Sequence, residues 1–421
     1  MFFIFPFFAS AQVENVGDKR LTLYPNQVEV KIPYYGTHSL EEERMDIARA
    51  IIVVHGSTRN ANSLFRNMRT ALFLSDNKDS TLIIAPQFLV EEDIATHTLD
   101  ATHLYWSGGW RSGDNSRTGS SFPRSLLVSS FTVLDTLIAK LASNYPNLRN
   151  IVFTGHSAGG QLTNRYAAST DIVEKLCEQY QIKTKFIVNN PSSYAYMDDK
   201  RRVVGTTDRF IRPATSCEEY NNWKFGLNNL HRYQAEKGAA YMRSIFKERE
   251  VVYLIGEEDT GTNLLDASCP ARLQGTNRLQ RAITYFNHLQ DTYGESILEK
   301  HQFAIVPEAG HNSFDMFTSD IAQVHLFENE PIGCKNGTTS IEEATSHSTF
   351  SIYPNPATDY LYISANDHYP EVIYIYDATG KMVKQVKSNT SKISLVNLNA
   401  GFYFMAYVHE GRVRSQRFMK Q

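Results

Sequence analysis

Ser157 stands within Gly155-His156-Ser157-Ala158-Gly159, directly after the apolar run Ile151-Val152-Phe153-Thr154 and ahead of a helical pattern. A strand, a sharp turn with serine at its apex and a helix together lift a hydroxyl clear for nucleophilic attack. Glycine is needed at 155 and 159 because side chains there would meet the neighbouring strand and helix. The same turn puts the Ala158 N–H at a helix start, where negative charge developing on an oxygen is favoured. A serine hydroxyl is a weak nucleophile at neutral pH. It needs a base, and the base needs an acid to orient it.

Behind a serine in this setting the acid and the histidine follow in that order along the chain. The run Val251-Val252-Tyr253-Leu254-Ile255 leads into Gly256-Glu257-Glu258-Asp259-Thr260-Gly261, and Asp259, just past the strand end, is the expected acid. Glu258 and Asp266 are its competitors. Of the downstream histidines, His231, His288, His301 and His325 fall in helical patterns or ahead of a strand. His311 alone occupies a loop just past a late strand, in Val306-Pro307-Glu308-Ala309-Gly310-His311-Asn312, and is the expected base. After the early run 51–54 comes His55-Gly56-Ser57-Thr58, where a His-Gly pair permits a tight turn. The backbone N–H of Ser57 is therefore the expected second oxyanion donor beside that of Ala158, and His55 is read as structural.

These residues need a rigid frame, and the sequence supplies one. Strand patterns fall at 28–32, 50–54, 81–85, 150–154, 185–188, 251–255 and 302–306. Several are continuous apolar runs without alternation, as in parallel strands covered on both faces. Helical patterns at 125–143, 160–180, 234–247 and 277–293 lie between them, so the expected class is α/β with a mostly parallel sheet. Polar residues 336–348 read as a linker. Beyond it, short strand patterns at 361–364, 372–376, 382–386, 393–395, 402–407 and 413–418 predict a small all-β, immunoglobulin-like sandwich over 349–421. Asp377-Ala378-Thr379-Gly380 and His409-Glu410-Gly411 supply its turns.

The chain has 421 residues, 42% of them hydrophobic and 21% charged, with a formal net charge of -3. That balance offers no basic field for nucleic acid. No internal segment is long and apolar enough to span a bilayer. Residues 1–11 combine an apolar run with Ala9-Ser10-Ala11, which resembles the back half of a secretory signal cleaved after Ala11, although its positively charged front is missing. The expected catalytic domain is then 12–335. Four cysteines, Cys177, Cys217, Cys269 and Cys334, allow three full pairings, and export would permit them. No Cys-x-x-Cys or His-x-x-x-His spacing suggests a metal site, and no cofactor is expected.

Taken in this order, the residues resemble the α/β-hydrolase superfamily over about 20–333. Within it the chain is similar to a subset of secreted hydrolases through Gly155–Gln161, Asn190-Pro191-Ser192-Ser193-Tyr194, Tyr220–Leu227, Leu265–Cys269 and Gln274–Arg278. That resemblance implies a Cys217–Cys269 bridge and leaves Cys177 and Cys334 open. The C-terminal stretches Ser351-Ile352-Tyr353-Pro354-Asn355-Pro356, Ile375-Tyr376-Asp377-Ala378-Thr379-Gly380-Lys381 and Asn397-Leu398-Asn399-Ala400-Gly401-Phe402-Tyr403 resemble a type IX secretion C-terminal sorting domain. This second resemblance implies export through the type IX machinery of a Bacteroidota-type cell, followed by release or surface anchoring.

The implied reaction is hydrolysis of a carboxylic ester, small or polymeric. Trp106, Trp110, Trp223 and Tyr194 fall in loops and are candidates for lining the substrate pocket, or else for packing loops onto the body. A peptidase would need an anchor for a terminal amine or carboxylate, and a lipid or polyester hydrolase an open or lidded apolar cleft. A non-catalytic surface-binding protein on the same scaffold would show a broken triad, whereas every required residue type is present.

Overall fold

The computed structural model describes residues 12–75, 78–124, 126–327, 351–364, 372–377, 382–387, 391–409 and 412–421. The expected signal at 1–11, the linker at 336–348, Cys334 and most of the two expected turns lie outside the described residues.

Ten strands fall in the first part: β1 (Lys19–Leu23), β2 (Val30–Gly36), β3 (Arg49–Val54), β4 (Thr81–Pro86), β5 (Asn150–His156), β6 (Lys183–Asn189), β7 (Arg201–Arg202), β8 (Phe210–Ile211), β9 (Glu250–Gly256) and β10 (His301–Val306). Eight form one sheet in the order β1-β2-β4-β3-β5-β6-β9-β10, while β7 and β8 form a small separate hairpin. From β4 to β10 the sheet is parallel, and β1 and β2 join it antiparallel.

The continuous apolar runs are explained by two cores, one on each face. On β3, Ala50, Ile52 and Val54 enter one core and Ile51 and Val53 the other. On β9, Val251, Tyr253 and Ile255 oppose Val252 and Leu254 in the same way. With a side-chain period of two, a strand covered on both faces has no polar side to show. Full burial of each aliphatic side chain contributes about 1.5–3 kcal/mol. β1 carries only a faint strand pattern, since Leu21 and Leu23 are buried while Lys19, Arg20 and Thr22 are not. Three buried-to-polar alternations at an antiparallel edge are too short a signal to stand out.

Helices Ala61–Phe73, Ser130–Asn144, Ala158–Ala167, Ile172–Tyr180 and Arg278–Tyr293 cover the sheet. The single helical pattern at 160–180 is two helices, because the chain leaves the first after Ala167 to turn through Ser169 and Thr170. Asn277 caps the last of the five by accepting the Gln280 N–H at 2.8 Å.

A disulfide joins Cys217 to Cys269, Cα atoms 6.0 Å apart, across 52 residues of sequence. Cys177 is also disulfide-bonded. Replacing Cys217 and Cys269 together by serine is expected to cost about 4 kcal/mol of stability on the chain-entropy account. Denaturant unfolding of the double variant checks this, and an unchanged midpoint would show that the loop is held by its other contacts.

The C-terminal part carries β11 (Ser351–Tyr353), β12 (Tyr360–Ser364), β13 (Val372–Asp377), β14 (Met382–Lys387), β15 (Lys392–Ser394), β16 (Gly401–His409) and β17 (Arg412–Lys420). They form two antiparallel sheets, β11-β12-β15 and β14-β13-β16-β17, with Leu361, Ile363, Ile373, Ile375, Ile393, Met405 and Phe418 in one core. Alternate residues face inward, as a sandwich requires.

Candidate active site

Ser157 sits between the end of β5 and the helix Ala158–Ala167, with φ 59° and ψ -114°. A non-glycine residue there is strained, and the surrounding contacts hold it. Its N–H donates to Asn189 O at 3.0 Å, which pins the turn to the end of β6. A Cβ on Gly155 would lie 2.5 Å from the carbonyl carbon of Gly159, and one on Gly159 would lie 2.1 Å from Val54 O. Both obstacles are backbone, so neither can swing aside. Gly159→Ala is expected to destabilise the protein by about 3 kcal/mol or more, or to prevent folding. An unchanged melting temperature would show that the helix is not seated this closely on β3.

The turns after β9 and β10 are joined by main-chain bonds from Glu257 N to Val306 O and from Glu258 N to Ala309 O, both 2.9 Å. This pairing sets the acid and the histidine side by side. His311 Nε2 lies 3.0 Å from Ser157 Oγ, and its Nδ1 lies 2.7 Å from Asp259 Oδ2. The Asp259 carboxylate is 1% exposed and the His311 side chain 29%. Of the three acids weighed from sequence, Glu258 is exposed, and Asp266 is bound to Ser268. Asp259 is the one that meets the imidazole.

Two residues that sequence reasoning gave no role complete this arrangement. Asn190 Nδ2 donates to Asp259 Oδ2 at 2.8 Å and to Gly310 O at 3.2 Å, while its Oδ1 accepts the Gly256 N–H at 3.3 Å. Arg278, also buried, approaches Asp259 Oδ1 at 3.5 Å and anchors to Asn263 O at 2.9 Å. Asn190 lies directly beyond β6, with φ 46°. A polar residue at the end of a central strand was the available signal.

His55, His288 and His301 are engaged elsewhere. His55 Nε2 accepts the Phe88 N–H at 3.0 Å and Nδ1 donates to Gly56 O at 2.9 Å, which defines a neutral tautomer. Burial pushes its pKa down to about 4. His288 meets Asp198 at 2.7 Å, and His301 lies between Tyr253 Oη and Phe246 O. His156, buried with its ring centroid 4.6 Å from that of His311, is held well below the usual histidine range, by burial first and then by His311.

Gly56 borders Ser157, since a Cβ there would lie 3.7 Å from Ser157 Cβ. The next residue, Ser57, is exposed, and Ala158 is the first residue of its helix. The first N–H groups of a helix have no intrahelical acceptor and remain available to an anion.

Of the two roles open to the aromatic candidates, their burial fits the packing of loops onto the body. Trp106, Trp110, Trp223 and Tyr194 all lie in the large core. Trp106 Nε1 donates to Asp114 O and Trp223 Nε1 to Ser112 O. Trp110 stacks on Phe88, and Tyr194 stacks on Tyr285. They brace the loops from inside, because a buried indole gains most where its N–H finds a backbone carbonyl.

Among the described residues no cluster of three or more His, Cys, Asp or Glu is placed to hold a metal ion. No helix among them is long and apolar enough to cross a membrane.

Residues 351–421 match the family described as a secretion system C-terminal sorting domain. No curated protein matches the sequence. Among solved structures, the poly(3-hydroxybutyrate) depolymerase LpqC of Bordetella parapertussis is similar at 16% identity and TM-score 0.50, over 76% of this chain and 93% of that one. The poly(aspartic acid) hydrolase-1 of Sphingomonas sp. KT-1 is similar at the same identity and TM-score, over 75% of this chain and 100% of its own. At this identity the likeness establishes a shared fold. The chain thus joins an α/β-hydrolase fold to a C-terminal sorting domain, which marks it as a secreted or cell-surface protein.

Proposed function

We propose that the chain is an extracellular serine hydrolase that cleaves carboxylic esters. The observation that carries this reading is the continuous path Ser157 Oγ–His311–Asp259, with distances of 3.0 and 2.7 Å, on a strained strand-to-helix turn. Ser157 attacks the ester carbonyl while His311 takes its proton, and His311 then returns that proton to the leaving alcohol. Asp259 orients the imidazole and stabilises its charged form. The N–H groups of Ala158 and Ser57 stabilise the tetrahedral oxyanion. Water repeats the sequence on the acyl-enzyme. The names of the two similar proteins, a polyester depolymerase and a poly(aspartic acid) hydrolase, agree with acyl transfer to water.

The test is hydrolysis of nitrophenyl esters of graded acyl length by the full chain, beside Ser157→Ala. Turnover by the wild type alone supports the reading, and equal rates in both would overturn it. Cleavage confined to aminoacyl amides would replace ester by peptide as the substrate.

A further inference from the structure

Three cations, Arg111, Arg165 and Lys224, gather around the helix that follows the proposed nucleophile, with a single carboxylate, Asp266, in electrostatic range of all three. Ser157 caps the helix Ala158–Ala167, on which Gln161 and Arg165 stand four residues apart and face the same side. Arg165 is fully buried, and its guanidinium donates to three different loops. Nε reaches Lys224 O and Nη1 reaches Arg111 O, both at 3.2 Å, and Nη2 reaches Ser193 Oγ at 3.0 Å. Ser193 Oγ also accepts Gln161 Nε2 at 2.6 Å. Arg165 lies eight residues, ~12 Å along the axis, from Ser157, and its side chain leans back toward that end of the helix.

Arg165 spends its donors on carbonyls and a hydroxyl, and in doing so braces two loops that each present a cation. The side chains of Arg111 and Lys224 are half-buried and reach solvent. Arg111 Nε is buried without a hydrogen-bond partner. Its neighbour Trp110 packs 4.6 Å from His55, which ties this loop to the edge of the nucleophile. Asp266 is the carboxylate within electrostatic range of Arg111, Arg165 and Lys224, and it is already engaged by the N–H and hydroxyl of Ser268. Burial first, then Arg165 and Arg111, push the Lys224 ammonium down to about 8, and burial with Arg111 pushes Arg165 down to about 9. Desolvated positive charge of this kind is costly unless an anion accompanies it.

We infer that Arg111 and Lys224 form a subsite for a carboxylate carried by the ester substrate, on the reading that Ser157 is the nucleophile. The planar Arg111 fork can take both carboxylate oxygens, and Lys224 supplies a second charge. The preferred substrates are then half-esters of dicarboxylic acids, or polymers with acidic side groups, in place of plain fatty acyl esters.

Nitrophenyl monoadipate and nitrophenyl hexanoate differ only in whether the acyl chain ends in carboxylate or methyl, which makes them a matched pair. The wild-type full chain is expected to favour the adipate by at least about tenfold in kcat/KM. Lys224→Met and Arg111→Met should each bring that ratio close to one. Equal kcat/KM for both esters in the wild type, or an unaltered preference in both variants, would overturn the subsite. Calorimetric titration with free adipate gives a readout independent of turnover: Lys224→Met should weaken binding about tenfold. If neither ester is cleaved while adipate binds in this Lys224-dependent way, the hydrolase reading fails and the anion subsite stands. If both esters are cleaved and adipate does not bind, the subsite fails alone. Tighter binding of inorganic phosphate than of adipate would overturn the assignment to carboxylate.

Discussion

Ser157→Ala is expected to lower kcat by about 10⁶ while leaving the fold intact. On the proposed mechanism nothing else in the site can form the acyl-enzyme. Water would have to attack without the covalent step, helped only by the oxyanion donors and by substrate binding. The loss should fall on kcat, with a much smaller change in KM, because the hydroxyl acts on the transition state and contributes little to ground-state binding. Alanine keeps the Cβ that the turn already accommodates at φ 59°, so the melting temperature should stay close to that of the wild type. Fluorophosphonate labelling gives a second check, as the wild type should be labelled once and the variant not at all. Residual activity within a factor of ten of the wild type would remove Ser157 from the mechanism.

Asp259→Asn should reduce kcat by about 10⁴, the order found when the acid of a serine-hydrolase triad becomes an amide. The carboxylate oxygen Oδ2 serves two donors at once, His311 Nδ1 at 2.7 Å and Asn190 Nδ2 at 2.8 Å. An amide in its place offers a single acceptor. If its oxygen faces His311, its NH₂ turns toward the Arg278 guanidinium, which stands 3.5 Å from Oδ1. If its NH₂ faces His311, the imidazole is driven to the tautomer that cannot accept the Ser157 proton. Either arrangement also removes the charge that stabilises the imidazolium. Asp259→Ala should add a stability loss of about 3–5 kcal/mol, because it strands Arg278 as a buried cation. Comparing the two variants by kinetics and by thermal unfolding separates the catalytic contribution from the structural one. An Asn variant that retains most of its activity would transfer the acid's role to another residue.

Much of this arrangement was legible in the sequence because it is local. The glycines around Ser157 report a steric demand between adjacent elements, and the apolar runs at β3, β5 and β9 report burial on two faces. The order of serine, acid and histidine follows from strands that succeed one another in a parallel sheet, with functional residues at their C-terminal ends. Three turn-bounded motifs in the last seventy or so residues carried the sorting domain, for a similar reason. Short strands and their turns are written within a few residues of one another.

Other features depended on contacts between residues far apart in the chain. Asp259, Glu258 and Asp266 look alike as acids near a strand end, and the pairing of the β9 and β10 turns is what brings Asp259 to His311. The tryptophans could line a pocket or pack loops onto the body as far as the sequence goes, and their burial in the large core is a matter of tertiary packing. Asn190 and Arg278 lie 69 and 19 residues from the carboxylate they hold. Arg111, Arg165 and Lys224 come from three separate segments, and the buried Arg165 guanidinium, bonded to the carbonyls of the other two, brings them together. The sequence by itself determined the fold class, the strand-to-helix turn at Ser157 and the exported destination, because adjacent residues set local sterics and periodicity. Tertiary structure alone decided which acid meets the histidine and which cations share one neighbourhood, since electrostatic environment is a property of space and not of chain order.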